Sequence, residues 1–303
     1  MNLFNKAVVG AMPIIPKNIV GKIAARYVAG EKLDDAVKTV KALNEQGAMT
    51  TLDILGEHNK DERIVRETVD SYKEILDRIA SENLDSNISV KPTALGILVG
   101  YEFCKECIGE IVQYAAQRNN YVRIDMEDHP FTDATLKMYF ELHKDYPNVG
   151  VVIQAYMRRT IKDVQWLKKM GANIRLCKGI YNEPRPIAYK NREIIIRNYA
   201  FLLEEMLAKG CYVGIATYCE ESVWHAMKII HDLGLERDKY EFQMLLGVDP
   251  ELREIIINAG HRMRVYVPFG SEWYPYSTRR LTENPQLAGS VAKNFLNLSK
   301  PGA

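Results

Sequence analysis

From residue 50 onward the chain alternates between two patterns of apolar positions. Short apolar runs bounded by turn residues read as strands: 50–57 (TTLDILGE), 88–93 (ISVKPT), 121–128 (YVRIDMED), 150–156 (GVVIQAY), 173–179 (NIRLCKG), 212–217, 240–247 and 263–270. Between them, apolar residues recur every three to four positions, the period of a helix with one buried face. These helices cover 63–80, 101–117, 133–146, 161–170, 188–209, 221–234, 250–260 and 276–283. Strict strand–helix alternation implies a parallel sheet, because each crossover must return the chain to the same edge. Eight such units in roughly 250 residues predict an α/β fold of the (β/α)8 TIM-like barrel kind. An open, doubly wound sheet would call for a Gly-rich dinucleotide turn, and no G-x-G-x-x-G follows any strand.

Two further helices precede the barrel. Residues 33–45 run from possible N-caps at Asp34 and Asp35 to Gly47. Residues 17–29 place Ile19, Val20, Ile23, Ala24, Tyr27 and Val28 on one stripe, with Lys17, Lys22 and Arg26 off it. Such a stripe packs on the protein body, or else rests on a membrane surface through its basic edge; packing is the more common use. The expected organisation is an N-terminal helical segment, 1–47, and a barrel catalytic domain, 48–303.

Composition narrows the function. Forty basic and 39 acidic residues leave a net charge of +1, without the basic excess of a nucleic-acid binder. Five cysteines, an odd number, read as reduced thiols of a cytosolic protein. Cys104 and Cys107 form a C-x-x-C inside a helix, with no second pair to complete a zinc site. No apolar run reaches the roughly 18 residues that would span a bilayer. The first residues, interrupted by Pro13 and Pro16, do not favour a signal peptide.

Polar residues gather where the strands end. Lys91 closes the second strand, Asp125 lies in the third and Gln154 closes the fourth. The fifth carries Arg175 and Lys178, the sixth ends at Thr217 and Tyr218, and the seventh carries Glu241 and Gln243. A polar residue in an apolar strand costs desolvation unless it is paired, so a succession at equivalent ends marks a polar cavity over the barrel mouth. In DMEDH, strand alternation puts Asp125 and Glu127 on one face, and His129-Pro130 reads as loop. One strand supplies too few oxygens for a hard cation, so Asp125 is expected to pair with Lys91 or Arg175 and no metal is expected. The last helix carries Tyr276, Arg279, Arg280 and Glu283, three and four positions apart and therefore on one face. Two guanidinium forks beside a tyrosine and a carboxylate suit a small ligand with a carboxylate and a ring. The plain alternative is a solvated helix end with an i,i+4 Arg–Glu pair.

Taken in order, SVKPTALG, RIDMED, VVIQAY, RLCKGIYNEP, IAT, YEFQMLLG and RVYVPFG…WYPYSTRRLTEN resemble the proline dehydrogenase family over residues 50 to 285, most closely its monofunctional bacterial form. The resemblance implies oxidation of L-proline to 1-pyrroline-5-carboxylate, with hydride passing to N5 of FAD and electrons then to a quinone. It implies Asp125 and Arg175 as the catalytic pair. Lys91, Tyr276, Arg279, Arg280 and Glu283 would meet the substrate. Met126, Gln154, Arg175, Lys178, Gly179, Ile180, Thr217, Tyr218, Glu241 and Gln243 would meet FAD, and Tyr181 and Tyr266 would line the site. A quinone acceptor further implies peripheral contact with the inner face of the cell membrane. The family carries Ala-Thr-His where this chain has Ala216-Thr217-Tyr218, and a tyrosine cannot reproduce both imidazole nitrogens. Two rival readings stand beside it: a Schiff-base aldolase using Lys91 or Lys178, and a non-catalytic amino-acid or flavin binder.

Overall fold

Eight parallel strands close on themselves in chain order. The computed structural model describes residue 21 and residues 24–283, the last five through their backbone only. The strands are β1 Met49–Ile54, β2 Ser86–Val90, β3 Val122–Ile124, β4 Val149–Gln154, β5 Asn173–Cys177, β6 Tyr212–Ala216, β7 Tyr240–Leu245 and β8 Met263–Phe269. The barrel is sealed by β1 on β8, with Thr51 beside Tyr266 and Asp53 beside Pro268.

The helices are α1 Leu33–Glu45, α2 Glu62–Ser81, α3 Tyr101–Ala116, α4 His129–His143, α5 Thr160–Leu167, α6 Arg192–Leu207, α7 Glu220–Asp232, α8 Pro250–Asn258 and α9 Trp273–Glu283. The expected (β/α)8 architecture is therefore what forms. Residues 17–20, 22 and 23 of the expected helix 17–29 lie outside the described residues, and residues 25–28 form a turn rather than a continued helix. The part that is described docks on the barrel: Ala29 donates to the Pro268 carbonyl at 2.9 Å, and Gly270 donates to the Gly30 carbonyl at 3.0 Å.

Alternation along each strand sorts the chain into two cores. One parity, including Leu52, Ile88, Val90, Ile124, Val151 and Ile174, is fully buried beneath the helices. The apolar face of α1 joins the same cluster through Ala36, Val37, Val40 and Leu43. The other parity points along the barrel axis and is largely polar, unlike the branched aliphatic filling usual in this fold. Arg264 sits deep in that interior and meets Glu241 at 2.7 Å, while Tyr212 donates to the same carboxylate at 2.8 Å. Arg123 crosses to the Asn173 carbonyl at 2.7 Å. Burying one charge unpaired would cost several kcal/mol; Arg264 is paired with a carboxylate, and Arg123 is held by the Val151 and Asn173 oxygens.

Glycine makes the crossings possible. A Cβ at Gly150 would lie 2.5 Å from the Arg123 Nη1 atom, and one at Gly214 would overlap the Gln243 amide. Bulk on one strand is matched by its absence on another.

Several expected boundaries shift, for a common reason. Strands end one to four residues before their polar tips, and most of all at β3, which stops at Ile124 rather than 128. Asp125 and Glu127 are thus off the strand and do not share a face: Asp125 turns to Arg175, and Glu127 turns to Thr93. His129 and Pro130 open α4 instead of forming loop, since proline is tolerated where the first N–H groups lack partners anyway. The N-cap of α1 is Lys32, with Asp34 and Asp35 inside the first turn.

Candidate active site

The polar ends converge over the C-terminal mouth of the barrel. There they form one hydrogen-bonded chain whose members lie on or just past six of the strands, β1, β2, β3, β5, β7 and β8. Arg264 binds Glu241, and the Glu241 carboxylate accepts from Gln243 Nε2 at 2.5 Å. Gln243 Oε1 in turn accepts from Arg175 Nε at 2.5 Å. Arg175 Nη1 donates to Asp125 Oδ1 at 2.7 Å, and the Tyr266 hydroxyl donates to Asp125 Oδ2 at 2.7 Å. Lys91 donates to Tyr266 at 3.3 Å and to Asp53 at 2.5 Å. The expected pairing of Asp125 with Arg175 forms, and Lys91 takes Asp53 instead. The Tyr266 ring lies against both cations, 5.2 Å from the Arg175 guanidinium and 5.9 Å from the Lys91 ammonium.

The protonation states follow from the packing. Burial works against the Lys91 charge, but the Asp53 and Asp125 carboxylates beside it prevail and hold its pKa above the ordinary value. Burial pushes Asp53 up to about 6, with Lys91 opposing the rise. Tyr266 is raised well above its usual range by burial and by Asp125. Lys91 and Tyr266 are therefore both protonated at neutral pH. That corrects the aldolase alternative at Lys91: a Schiff base needs a free amine, and this ammonium is locked on a carboxylate.

Beside the cluster, the mouth between β4 and β6 offers donors below and apolar surface above. Gln154 and Thr217 are buried at the ends of β4 and β6, and Met126 packs next to Gln154. Lys178 lies in the turn past β5. Gly179, at φ +103, allows that turn to pass over the Tyr156 ring, where a Cβ would collide. Ile180 is 47% exposed and Tyr218 is 46% exposed at this rim. Buried polar side chains beneath an exposed isoleucine and tyrosine suit a planar ligand with a polar edge. The Arg175 guanidinium lies at the edge of the same mouth, where it could meet a negatively charged edge of such a ligand.

Some expected residues sit elsewhere. Glu241 is two residues deeper on β7 than Gln243, and its carboxylate is taken by Arg264, Tyr212 and Gln243. Burial alone would raise its pKa, but Arg264 and these bonds lower it to about 2. The Glu241 carboxylate supports Gln243 from below. Tyr276 is buried against Val28 and Leu55 at the start of α9. Arg279, Arg280 and Glu283 follow on that helix, and their side chains lie outside the described residues.

Three partners were absent from the expected set. Asp53 anchors Lys91. Glu127 binds Thr93 twice, at the backbone N–H (2.8 Å) and the hydroxyl (2.5 Å), and burial pushes its pKa up to about 7. Glu183 closes on His129 from the β5–α6 loop. Asp53 alone carried a sequence signal, as an acid inside an apolar strand; the other two pair across loops, where spacing says nothing.

The comparisons with known proteins agree with one another. The profile described as proline dehydrogenase matches residues 36–293. Proline dehydrogenase 1 of Bacillus subtilis (strain 168) is 33% identical over 273 residues, which is 90% of this chain and 90% of that protein. The proline dehydrogenase of Deinococcus radiodurans is 31% identical over 281 residues, again 90% of each. Among solved structures, proline utilization A of Bdellovibrio bacteriovorus, inactivated by N-propargylglycine, superposes on 98% of this chain with a TM-score of 0.84 and 23% identity. The enzyme of the same name from Corynebacterium freiburgense superposes on 99% with a TM-score of 0.73 and 20% identity. This chain spans only 38% and 36% of those two longer proteins, so the structural likeness speaks for the fold.

Proposed function

The chain belongs to the proline dehydrogenase family, and from that premise we propose that it oxidises L-proline to 1-pyrroline-5-carboxylate, with FAD accepting hydride and a quinone receiving the electrons. The observation that carries the reading is the hydrogen-bonded chain of charged side chains at the barrel mouth. FAD supplies a hydride acceptor at N5. Everything else in the proposal is the work of this chain's residues.

Arg175, fixed by Asp125 and Gln243, would present its guanidinium to a bound flavin and favour a cofactor that gains negative charge on reduction. Gln154, Lys178, Gly179 and Thr217, with Met126, Ile180 and Tyr218, would hold the cofactor. Lys91 and Tyr276 flank the substrate position, Tyr181 and Tyr266 line it, and Arg279 and Arg280 on α9 take the proline carboxylate, with Glu283 beside them. A carboxylate clamp of this kind would hold proline in one orientation, and such positioning removes on the order of 7–11 kcal/mol of barrier at best. Oxidation breaks C5–H and N–H and makes the C5=N bond. Lys91 and Tyr266 keep their own protons, so neither takes the amine proton. Residues 48–303 form the catalytic unit in this reading, and residues 1–47 precede it.

No helix among the described residues is long and apolar enough to cross a membrane. A quinone acceptor would be met at the membrane surface, and the basic edge of residues 17–29, with Lys17, Lys22 and Arg26, is the segment proposed to meet it. The reaction is tested by its product. With FAD and a soluble quinone, the protein should convert L-proline to a cyclic imine that condenses with o-aminobenzaldehyde to a coloured adduct. Absence of that adduct at any substrate concentration would refute the reading, and borohydride trapping of a carbonyl substrate on Lys178 would favour the aldolase.

A further inference from the structure

The loop between β5 and α6, residues 178–191, carries Lys178, Gly179, Ile180 and Tyr181 to the edge of the proposed flavin site. Its two ends are secured by backbone contacts with the neighbouring loop. Tyr156 donates to the Lys178 carbonyl at 2.8 Å at one end, and Tyr189 donates to the Tyr156 carbonyl at 2.8 Å at the other. Between them the chain must turn outward and back, and at that point stands a buried acid. Glu183 is 3% exposed. One carboxylate oxygen accepts from the His129 backbone N–H at 2.7 Å, and the other meets His129 Nδ1 at 2.7 Å.

His129 is the first residue of α4, so its N–H is one of the donors that a helix leaves without an internal partner. The usual local remedy is missing: the N-cap residue, Asp128, makes no side-chain cap bond. Glu183 supplies it from 54 residues away, and its negative charge also suits the positive end of the helix. A surface carboxylate would gain little from such a contact, but one shielded from water gains more. The pair ties the β5–α6 loop to the rigid start of α4, next to Asp125 and Met126.

We propose that Glu183 is a positioning residue that holds the β5–α6 loop in its flavin-binding shape by capping α4 across the mouth. It touches neither substrate nor cofactor; it acts through Lys178, Gly179 and Ile180. The inference rests on the flavin reading above and assigns that site a determinant of cofactor affinity.

The test is FAD titration of apo-protein, with the visible circular dichroism of the bound flavin as a second readout. Glu183→Ala should raise the FAD Kd about tenfold, equivalent to about 1.4 kcal/mol, and alter the flavin dichroism. Glu183→Gln can still accept the N–H and donate to Nδ1, so it should restore Kd to within threefold of wild type. A change below threefold in Glu183→Ala overturns the proposal, whatever stability is lost, because simple helix capping would weaken the fold and leave Kd alone. If that variant does not fold, His129→Ala decides: it keeps the backbone bond and loses the ring contact, so a Kd raised at least threefold supports the proposal and a wild-type Kd overturns it. Wild-type protein that binds no FAD would instead sink the flavin reading itself, and the proposal with it.

Discussion

Replacing Glu241 by glutamine strikes the buried end of the chain of side chains that leads to Arg175. In the native protein Arg264 holds the carboxylate with two contacts, at 2.7 and 3.1 Å, and both residues are almost wholly buried. Two routes give the size of the effect. Leaving one member of a buried ion pair without its partner costs about 3–5 kcal/mol. Independently, the drop of the Glu241 pKa from an ordinary 4.5 to about 2 corresponds, at about 1.4 kcal/mol per pH unit, to roughly 3 kcal/mol of native-state stabilisation. The two agree, so Glu241→Gln should lose about 3 kcal/mol in urea unfolding at pH 7. The pH dependence has a definite sign. A depressed carboxyl stabilises the fold above its unfolded value and stops doing so as pH falls through the folded one. The gap between wild type and variant should therefore be full above pH 4.5 and shrink between 4.5 and about 2. Replacing Glu241 and Arg264 together by apolar residues of similar volume should cost much less than the single change. A single variant within 1 kcal/mol of wild type at pH 7 would refute the claim that this pair organises the barrel interior.

Other expectations follow from the same contacts. Asp53 ionises only above about 6, so kcat/KM for proline should climb through that pH as Asp53 gains the charge that holds Lys91. Asp53→Asn should erase that inflection, and a profile that keeps it would count against the pairing; the stability term has the opposite sign, present below 3.8 and lost as pH rises through about 6. Gly214→Ala would drive a methyl into the Gln243 amide, break its bond to Arg175 and cost about 1–3 kcal/mol, read as weaker FAD binding in a folded protein. Arg280→Met should raise the KM for proline at least tenfold with FAD still bound, and an unchanged KM would remove Arg280 from the carboxylate clamp.

How much of this was legible in the sequence depended on distance along the chain. The eight strands were legible because their apolar parity is continuous: Ile88 and Val90, or Val213 and Ile215, face the helices whatever the interior holds. Strand ends were misread because a functional polar residue, Asp125 or Lys178, prolongs an alternating pattern after the backbone has left the sheet. The polar mouth was legible as a set, since Lys91, Gln154, Arg175 and Gln243 are polar residues in or at the ends of four otherwise apolar strands. The deeper layer was not. Arg123 and Arg264 are charged residues of inward parity, and the mid-strand glycines Gly150 and Gly214 were the available sign that something large crosses the axis. Contacts such as Glu127 with Thr93 and Glu183 with His129 join separate loops, and only the closure of the barrel brings them together.

The most direct test of the central claim is the visible spectrum of the purified protein, recorded without oxygen before and after L-proline is added. Flavin absorption that bleaches on addition is the predicted result. A protein that takes up no FAD, or one whose flavin stays oxidised in excess L-proline, would contradict it.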